Sequence, residues 1–210
     1  MKRTLIFDFD GTLADSLSLV LGIANEILQE MKHRPITDED VEKMRKMTIP
    51  QGFKYLGIPV YKLPQLVVKS RQKMKENINQ LLPIAGVVPV LEKLKASGVQ
   101  MGIVTSNSTE NVRYFLKRHK IDGLFSFVDA GSNPFSKSRR IKSTIAKNGL
   151  SPDQCYYIGD EIRDIEAAKS LGVEVIAVGW GINHPTSLKQ HNPDYFVTKP
   201  EQLLEFATDK

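Results

Sequence analysis

An apolar run, Leu5-Ile6-Phe7, leads straight into two acids, Asp8 and Asp10, with Gly11 and Thr12 directly behind them. Buried strands are apolar on both faces, so a strand that ends in two carboxylates has left the core and entered a site. Ligands in open α/β sheets bind beyond the carboxyl ends of the strands. Two acids placed there cost stability unless a cation or a proton compensates them. That cost points to a function at this strand end.

The rest of the chain repeats the pattern. Strand-like runs occupy Leu5–Phe9, Gln100–Thr105, Phe125–Ala130, Cys155–Ile158 and Val173–Val178. Between them lie helical patterns at Val87–Ala96, Thr109–Arg118, Lys137–Asn148 and Ile162–Leu171. Gly98, Gly149 and Gly172 stand where these helices should stop. Alternation with short loops predicts an α/β fold, a mostly parallel sheet flanked by helices on both faces. From about Leu17 to Pro83 the rhythm breaks. Helical patterns cover Leu17–Met31, Asp38–Lys46 behind a possible Thr37 cap, and Val60–Gln80, with no convincing buried strand. Their total length exceeds one crossover. The expected organisation is a core domain of residues 1–16 and 84–210 and a small inserted α-helical domain of residues 17–83.

Composition narrows the function. The 210 residues carry a net charge of +5, with basic residues mostly interleaved among acids. No dense basic run or aromatic-plus-basic pattern suggests nucleic acid. No stretch approaches the length of a transmembrane helix, and Met1-Lys2-Arg3-Thr4 runs into a strand without a cleavable apolar region. The one cysteine, Cys155, allows no internal disulfide and sits in apolar context, as a small core residue would. A cytoplasmic protein is expected, monomeric or homodimeric. The four histidines, His33, His119, His184 and His191, lack ligand spacing, so no zinc site is expected.

Four clusters at strand ends carry chemistry. At Asp8-Phe-Asp-Gly-Thr, one carboxylate can attack phosphorus to give an aspartyl-phosphate. The other, two residues on along extended backbone, can serve as general acid and then base. Gly11 permits a tight turn and close backbone approach to a phosphate. At Ile103-Val-Thr-Ser-Asn107, the Ser106 hydroxyl and the Asn107 N–H can bind phosphate oxygens, or simply cap the following helix. Lys137 opens a helix after a strand and can neutralise a phosphate and the nucleophile; read alone it equally suits the surface. At Ile158-Gly-Asp-Glu-Ile-Arg-Asp164, Asp160 and Asp164 stand four residues apart at a helix start. Asp8, the Asp10 main-chain carbonyl and Asp160 can supply part of the oxygen shell that Mg²⁺ prefers. Glu161 suits a helix N-terminus on charge alone. Together the clusters supply what phosphoryl transfer needs: a nucleophile, a proton donor, cations and a holder for the oxygens.

On Asp8-Phe-Asp-Gly-Thr-Leu-Ala-Asp-Ser and the Gly-Asp-x-x-x-Asp of residues 159–164, the chain resembles a haloacid dehalogenase-superfamily phosphatase. The branch is the phosphoglycolate phosphatase-like one, with a helical cap inserted after the first strand. The resemblance covers essentially the whole chain and implies a Rossmann-like core. It implies Asp8 as nucleophile, Asp10 as acid/base, Lys137 as the family lysine, and Mg²⁺ held by Asp8, Asp10 and Asp160, with Asp164 as a further metal-site acid. Ser106 becomes the phosphate-binding hydroxyl, or Thr105 if the register slips by one, beside Asn107 and Gly11. Where many relatives carry Lys-Pro-x-Pro, this chain has Phe-Ser-Lys-Ser-Arg-Arg. Trp180, in Ile176–Gly181, reads as a packing residue near the site. Arg45, where related enzymes carry an arginine in the cap, is expected to contact an anionic part of the substrate, or else to be a solvated helix residue.

The implied activity is Mg²⁺-dependent hydrolysis of a small phosphorylated metabolite. Asp10 argues against dehalogenation, because carbon–halogen cleavage needs no protonated leaving alcohol. A sugar-phosphate mutase keeps the same acids. A phosphonate hydrolase needs a cap lysine with a lowered pKa, which none of Lys32, Lys43, Lys46 and Lys54 visibly has. A non-catalytic binding protein would ordinarily have lost Asp8 or Asp10.

Overall fold

Leu5, Ile6 and Phe7 are all but inaccessible to water in the computed structural model, which describes residues 3–131 and 137–207. They belong to β1 (Thr4–Phe7), near the middle of a six-stranded sheet. After β1 the chain runs through α1 (Leu17–Glu30), α2 (Asp38–Met44), α3 (Ile49–Tyr55) and α4 (Leu63–Asn77) before α5 (Val87–Ala96) returns to the sheet. The alternating part follows: β2 (Met101–Thr105), α6 (Thr109–Arg118), β3 (Phe127–Ala130), α7 (Lys137–Lys147), β4 (Cys155–Gly159), α8 (Ile162–Lys169), β5 (Glu174–Val178), α9 (Pro185–Gln190) and β6 (Tyr195–Val197). All neighbouring strands are parallel, in the order β3-β2-β1-β4-β5-β6. This is the order of a Rossmann-like sheet, as expected.

Period-two alternation divides the core into two layers. Leu5 and Phe7 pack with Val90, Leu94, Val112 and Phe115 of α5 and α6. Ile6 faces the other way, toward Ile141, Ile145, Ile162 and Ile165 of α7 and α8. Residues buried on both sides of a sheet explain the unbroken apolar runs. Helices α1–α4 share a third apolar cluster, including Ile23, Ile27, Leu28, Leu56, Ile58 and Leu66. Cys155 is buried, with its thiol pushed up to about 11 by burial, as suits an inert core residue. No helix among the described residues is long and apolar enough to cross a membrane.

Several elements differ from the sequence reading. The strand expected at Phe125–Ala130 begins at Phe127. The expected Val60–Gln80 helix is α4 between two 3₁₀ turns, Val60–Lys62 and Ile78–Gln80. Helix α3 was hidden by Pro50 and Gly52; the Pro sits in its first turn, where a missing N–H costs nothing, and Thr48 with Gln51 forms a capping box. The three-residue strand β6 and the six-residue helix α9, which Pro185 opens, are too short for a periodic signal.

Thr37 does cap α2. Its Oγ1 accepts from the Asp40 N–H at 3.2 Å, and the Asp40 carboxylate accepts from the Thr37 N–H at 2.9 Å. The same carboxylate takes the Arg34 guanidinium at 2.5 and 3.1 Å and the Tyr55 hydroxyl at 2.8 Å. These partners, Arg34 first, hold Asp40 well below the usual carboxylate range. A depressed pKa stabilises the fold in full above the unfolded-state value of about 3.9, and that contribution is lost progressively as pH falls from there toward the lower folded-state value. Asp40→Asn is therefore expected to lower the melting temperature at pH 7. The gap from wild type should narrow as pH falls through about 4, which thermal melts across that range will check.

Candidate active site

The sheet reverses its strand order where β1 lies between β2 and β4, and such a switch point opens a crevice beyond the strand carboxyl ends. Both β1 and β4 deliver an acid there: Asp8 directly after Phe7, and Asp160 directly after Gly159. The parallel register aligns Phe7 with Ile158, and the Asp8 N–H donates to the Ile158 carbonyl at 2.8 Å, so the two strand ends lie at one level. Asp164 joins them from the first turn of α8. Carboxylate oxygens of Asp8, Asp160 and Asp164 all lie within 4.8 Å of one another, and all three residues are buried.

Lys137 meets two of this trio from the start of α7. Its ammonium lies 2.6 Å from Asp8 Oδ2, pairs with Asp164, and is buried. Burial pulls the ammonium pKa down, but Asp164 and Asp8 outweigh it, and the net shift is upward. Lys137 therefore stays charged. It also stands 5.5 Å from the centre of the buried Tyr157 ring. Acids still outnumber cations. Asp160 is raised well above the usual carboxylate range by burial first, then by Glu161, Asp164 and Asp8. Burial also raises Asp164, against the pull of Lys137.

These features fit a hard divalent cation. Asp8 Oδ1 is buried without a hydrogen-bond partner among the described residues. An oxygen-only donor set with surplus negative charge suits Mg²⁺ better than softer metals. The Asp10 carboxylate stands outside the trio. Its Oδ2 accepts from Asn107 Nδ2 at 2.9 Å, while Oδ1 is shielded and unpartnered among the described residues. Burial, then the charge of Asp8, raises its pKa to about 6. Asp10 can thus hold a proton near neutrality, as a general acid must.

At the end of β2, Thr105 is buried and its Oγ1 accepts from the Asn107 N–H at 3.1 Å. Ser106 is half-buried, and its hydroxyl has no partner among the described residues. Trp180 is half-buried and donates from its indole to the Thr12 carbonyl at 3.2 Å. Arg45 does not face open space. Its Nε donates to the Ile182 carbonyl at 2.9 Å and its Nη2 to the Gly181 carbonyl at 3.0 Å, so its fork is engaged by the loop after β5. Residues 132–136, which lead into Lys137 and include the Phe135-Ser136 of the expected Phe-Ser-Lys-Ser stretch, lie outside the described residues.

Sequence reasoning assigned no role to three neighbours of Asp160. Thr12 Oγ1 donates to Asp160 Oδ1 at 2.7 Å, and the Ile182 N–H donates to Oδ2 at 2.7 Å. Asn183 donates from its main chain to the Asp160 carbonyl at 3.3 Å and caps α8 by accepting from the Ile162 N–H at 2.9 Å. Thr12 was within reach of the first motif. Ile182 acts only through its main chain, and Asn183 is some twenty positions from its partners, so neither has a local signal.

Comparison with known proteins agrees with this geometry. Residues 5–178 match the family described as haloacid dehalogenase-like hydrolase. A phosphoglycolate phosphatase of Synechococcus elongatus is 34% identical over 206 residues, covering 98% of this chain and 97% of its own. A pyrophosphatase PpaX of Bacillus velezensis is 27% identical over 207 residues, covering 97% and 95% respectively. Among solved structures, a haloacid dehalogenase-like family hydrolase from Streptococcus pneumoniae superposes with a TM-score of 0.84 at 22% identity, over 99% of both chains.

The acids fit only because glycines surround them. A Cβ on Gly11 would fall 2.1 Å from Asp160 Oδ2, one on Gly181 2.2 Å from Asp160 Cβ, and one on Gly159 2.2 Å from Asp164 Oδ2. Gly11 also has φ +71°. Gly11→Ala is expected to lose about 1–2 kcal/mol from the left-handed backbone alone, plus the cost of displacing Asp160. Gly22→Ala, in α1 with nothing within 4 Å of the added methyl, should instead gain up to about 1 kcal/mol. Urea midpoints at unchanged slope will measure both.

Proposed function

The chain belongs to the haloacid dehalogenase-like hydrolases and is a phosphatase. On that premise we propose that it hydrolyses a small phosphorylated metabolite, with Mg²⁺, through an aspartyl-phosphate on Asp8. The observation that carries this reading is the buried meeting of Asp8, Asp160 and Asp164, with Lys137 paired to Asp8 and Asp164 and Asp8 Oδ1 left unpartnered among the described residues. Asp8 and Asp160, with the Asp10 main-chain carbonyl and Asp164, would hold the ion. When bound it would offset the charge of the phosphoryl oxygens.

Asp8 attacks phosphorus while Lys137, paired with it at 2.6 Å, partly balances the incoming charge. At the end of β2 the Ser106 hydroxyl, or that of Thr105, would receive a phosphoryl oxygen, and the Asn107 N–H would turn from Thr105 Oγ1 to a second. Asp10 donates its proton to the departing oxygen. It then accepts one from the water that attacks the aspartyl-phosphate, releasing inorganic phosphate and restoring Asp8. Asn107 orients Asp10 by its 2.9 Å hydrogen bond.

Residues 17–83 act in this reading as a cap over the core of residues 1–16 and 84–210. The two strands of chain joining them lie side by side: the Asp15 N–H donates to the Leu82 carbonyl at 2.8 Å, and the Ile84 N–H to the Leu13 carbonyl at 2.9 Å. Paired crossings of this kind suit a hinge, and cap closure would exclude water from the phosphate. Full-length relatives named phosphoglycolate phosphatase and pyrophosphatase favour a compact anion as substrate. A diffusible metabolite and one inert buried cysteine suit the cytoplasm.

Phosphate release should be measured on a panel of phosphorylated metabolites that includes phosphoglycolate and inorganic pyrophosphate, with Mg²⁺ and with a chelator. Activity should require the metal. Asp8→Asn should have no measurable turnover, and Asp10→Asn should lose about 10²–10⁴-fold. Normal Mg²⁺-dependent turnover in Asp8→Asn would sink the mechanism. An isomerised sugar phosphate without phosphate release would assign the chain to the mutases instead.

A further inference from the structure

Two consecutive peptide planes join the inserted helices to Asp160. In the first, the Gly181 carbonyl accepts from Arg45 Nη2 at 3.0 Å while the Ile182 N–H donates to Asp160 Oδ2 at 2.7 Å. In the second, the Ile182 carbonyl accepts from Arg45 Nε at 2.9 Å while the Asn183 N–H donates to the Asp160 carbonyl at 3.3 Å. A peptide unit is planar and stiff, so turning its carbonyl turns its N–H. The contact is reciprocated: Asn183 Nδ2 donates to the carbonyls of Arg45 at 2.9 Å and Met47 at 3.3 Å, and the His184 N–H donates to the Arg45 carbonyl at 2.7 Å. On its far side Asp160 is held by Thr12, whose own carbonyl takes the Trp180 indole.

We propose that Arg45 and Asn183 are positioning residues that tie the closed placement of the helical insert to the orientation of the Asp160 carboxylate, and so to cation binding. The inference rests on the reading of Asp160 as a residue that holds the ion. A planar guanidinium spans both carbonyls as a fork, which the point charge of a lysine does not. When the insert swings away, both planes lose their anchor and the Ile182 N–H is free to leave Asp160. Linkage makes the effect mutual: a cation on Asp160 favours the closed insert by the same factor by which closure favours the cation.

The test uses the full chain and Mg²⁺ alone, without substrate. Binding is read by calorimetry and by the fluorescence of Trp180, the one tryptophan, which stands next to the loop. Arg45→Ala should weaken Mg²⁺ affinity by about 5–10-fold, and Arg45→Lys should fall between it and wild type. Arg45→Gln serves as a second variant should the alanine form fail to fold. Affinities within twofold of wild type in the folded variants would overturn the proposal, even if melting temperatures dropped, since that is what simple adhesion of the insert predicts. A wild-type chain that hydrolyses phosphomonoesters only with Mg²⁺ while the variants bind the ion normally removes the positioning role alone. A wild-type chain that binds no Mg²⁺ removes the metal reading and this inference with it.

Discussion

The ion pair of Lys137 with Asp8 and Asp164 is the contact on which the site depends. Three carboxylates cannot be buried together in a protein interior without compensation, and taking one partner from a buried pair typically costs about 3–5 kcal/mol. Lys137 supplies a charge that burial alone would suppress, and it keeps that charge because two acids face it. The compensation is incomplete. Asp160 lies on the far side, held by hydrogen bonds from Thr12 and Ile182, with its pKa driven upward by burial and by its neighbours. A cluster built this way is poised to take up positive charge.

The surrounding scaffold follows from that crowding. Gly11 and Gly181 come from two different loops and Gly159 from the end of β4, and each leaves room for a carboxylate where any side chain would collide. The strands bring the acids to one level because β1 and β4 are parallel neighbours in register. The helices behind them supply Lys137 and Asp164 from their first turns. The insert reaches the same acids indirectly, through main-chain groups of the loop after β5. Arg45 thus reaches the site through two main-chain carbonyls.

How much was legible depended on the range of the signal. Helices Val87–Ala96 and Thr109–Arg118 are bounded in the structure as their periodicity implies, because amphipathic spacing and stop residues are local. Asp8, Asp10, Asp160 and Asp164 stood out because acids after apolar runs are costly wherever the chain goes. Helix α3 was missed because Pro50 and Gly52 read as breakers, though a proline in a first turn is not one. Ser106 and Thr105 could not be ranked, since both follow the same strand; in the structure Thr105 is buried and accepts the Asn107 N–H, while Ser106 is half-buried.

The sequence by itself determined the fold class, the alternation of the longer strands and helices, and which acids had to leave the core, because burial energetics act on each segment separately. Only the tertiary structure decided who compensates whom. That Lys137 answers Asp8 and Asp164, that Asn107 takes Asp10, and that Arg45 grips two carbonyls beside Asp160 are facts of strand order and loop path. The physical reason is that electrostatic pairing depends on distance in space. The chain brings residues 8, 137, 160 and 164 within a few ångströms only once the sheet has chosen its neighbours.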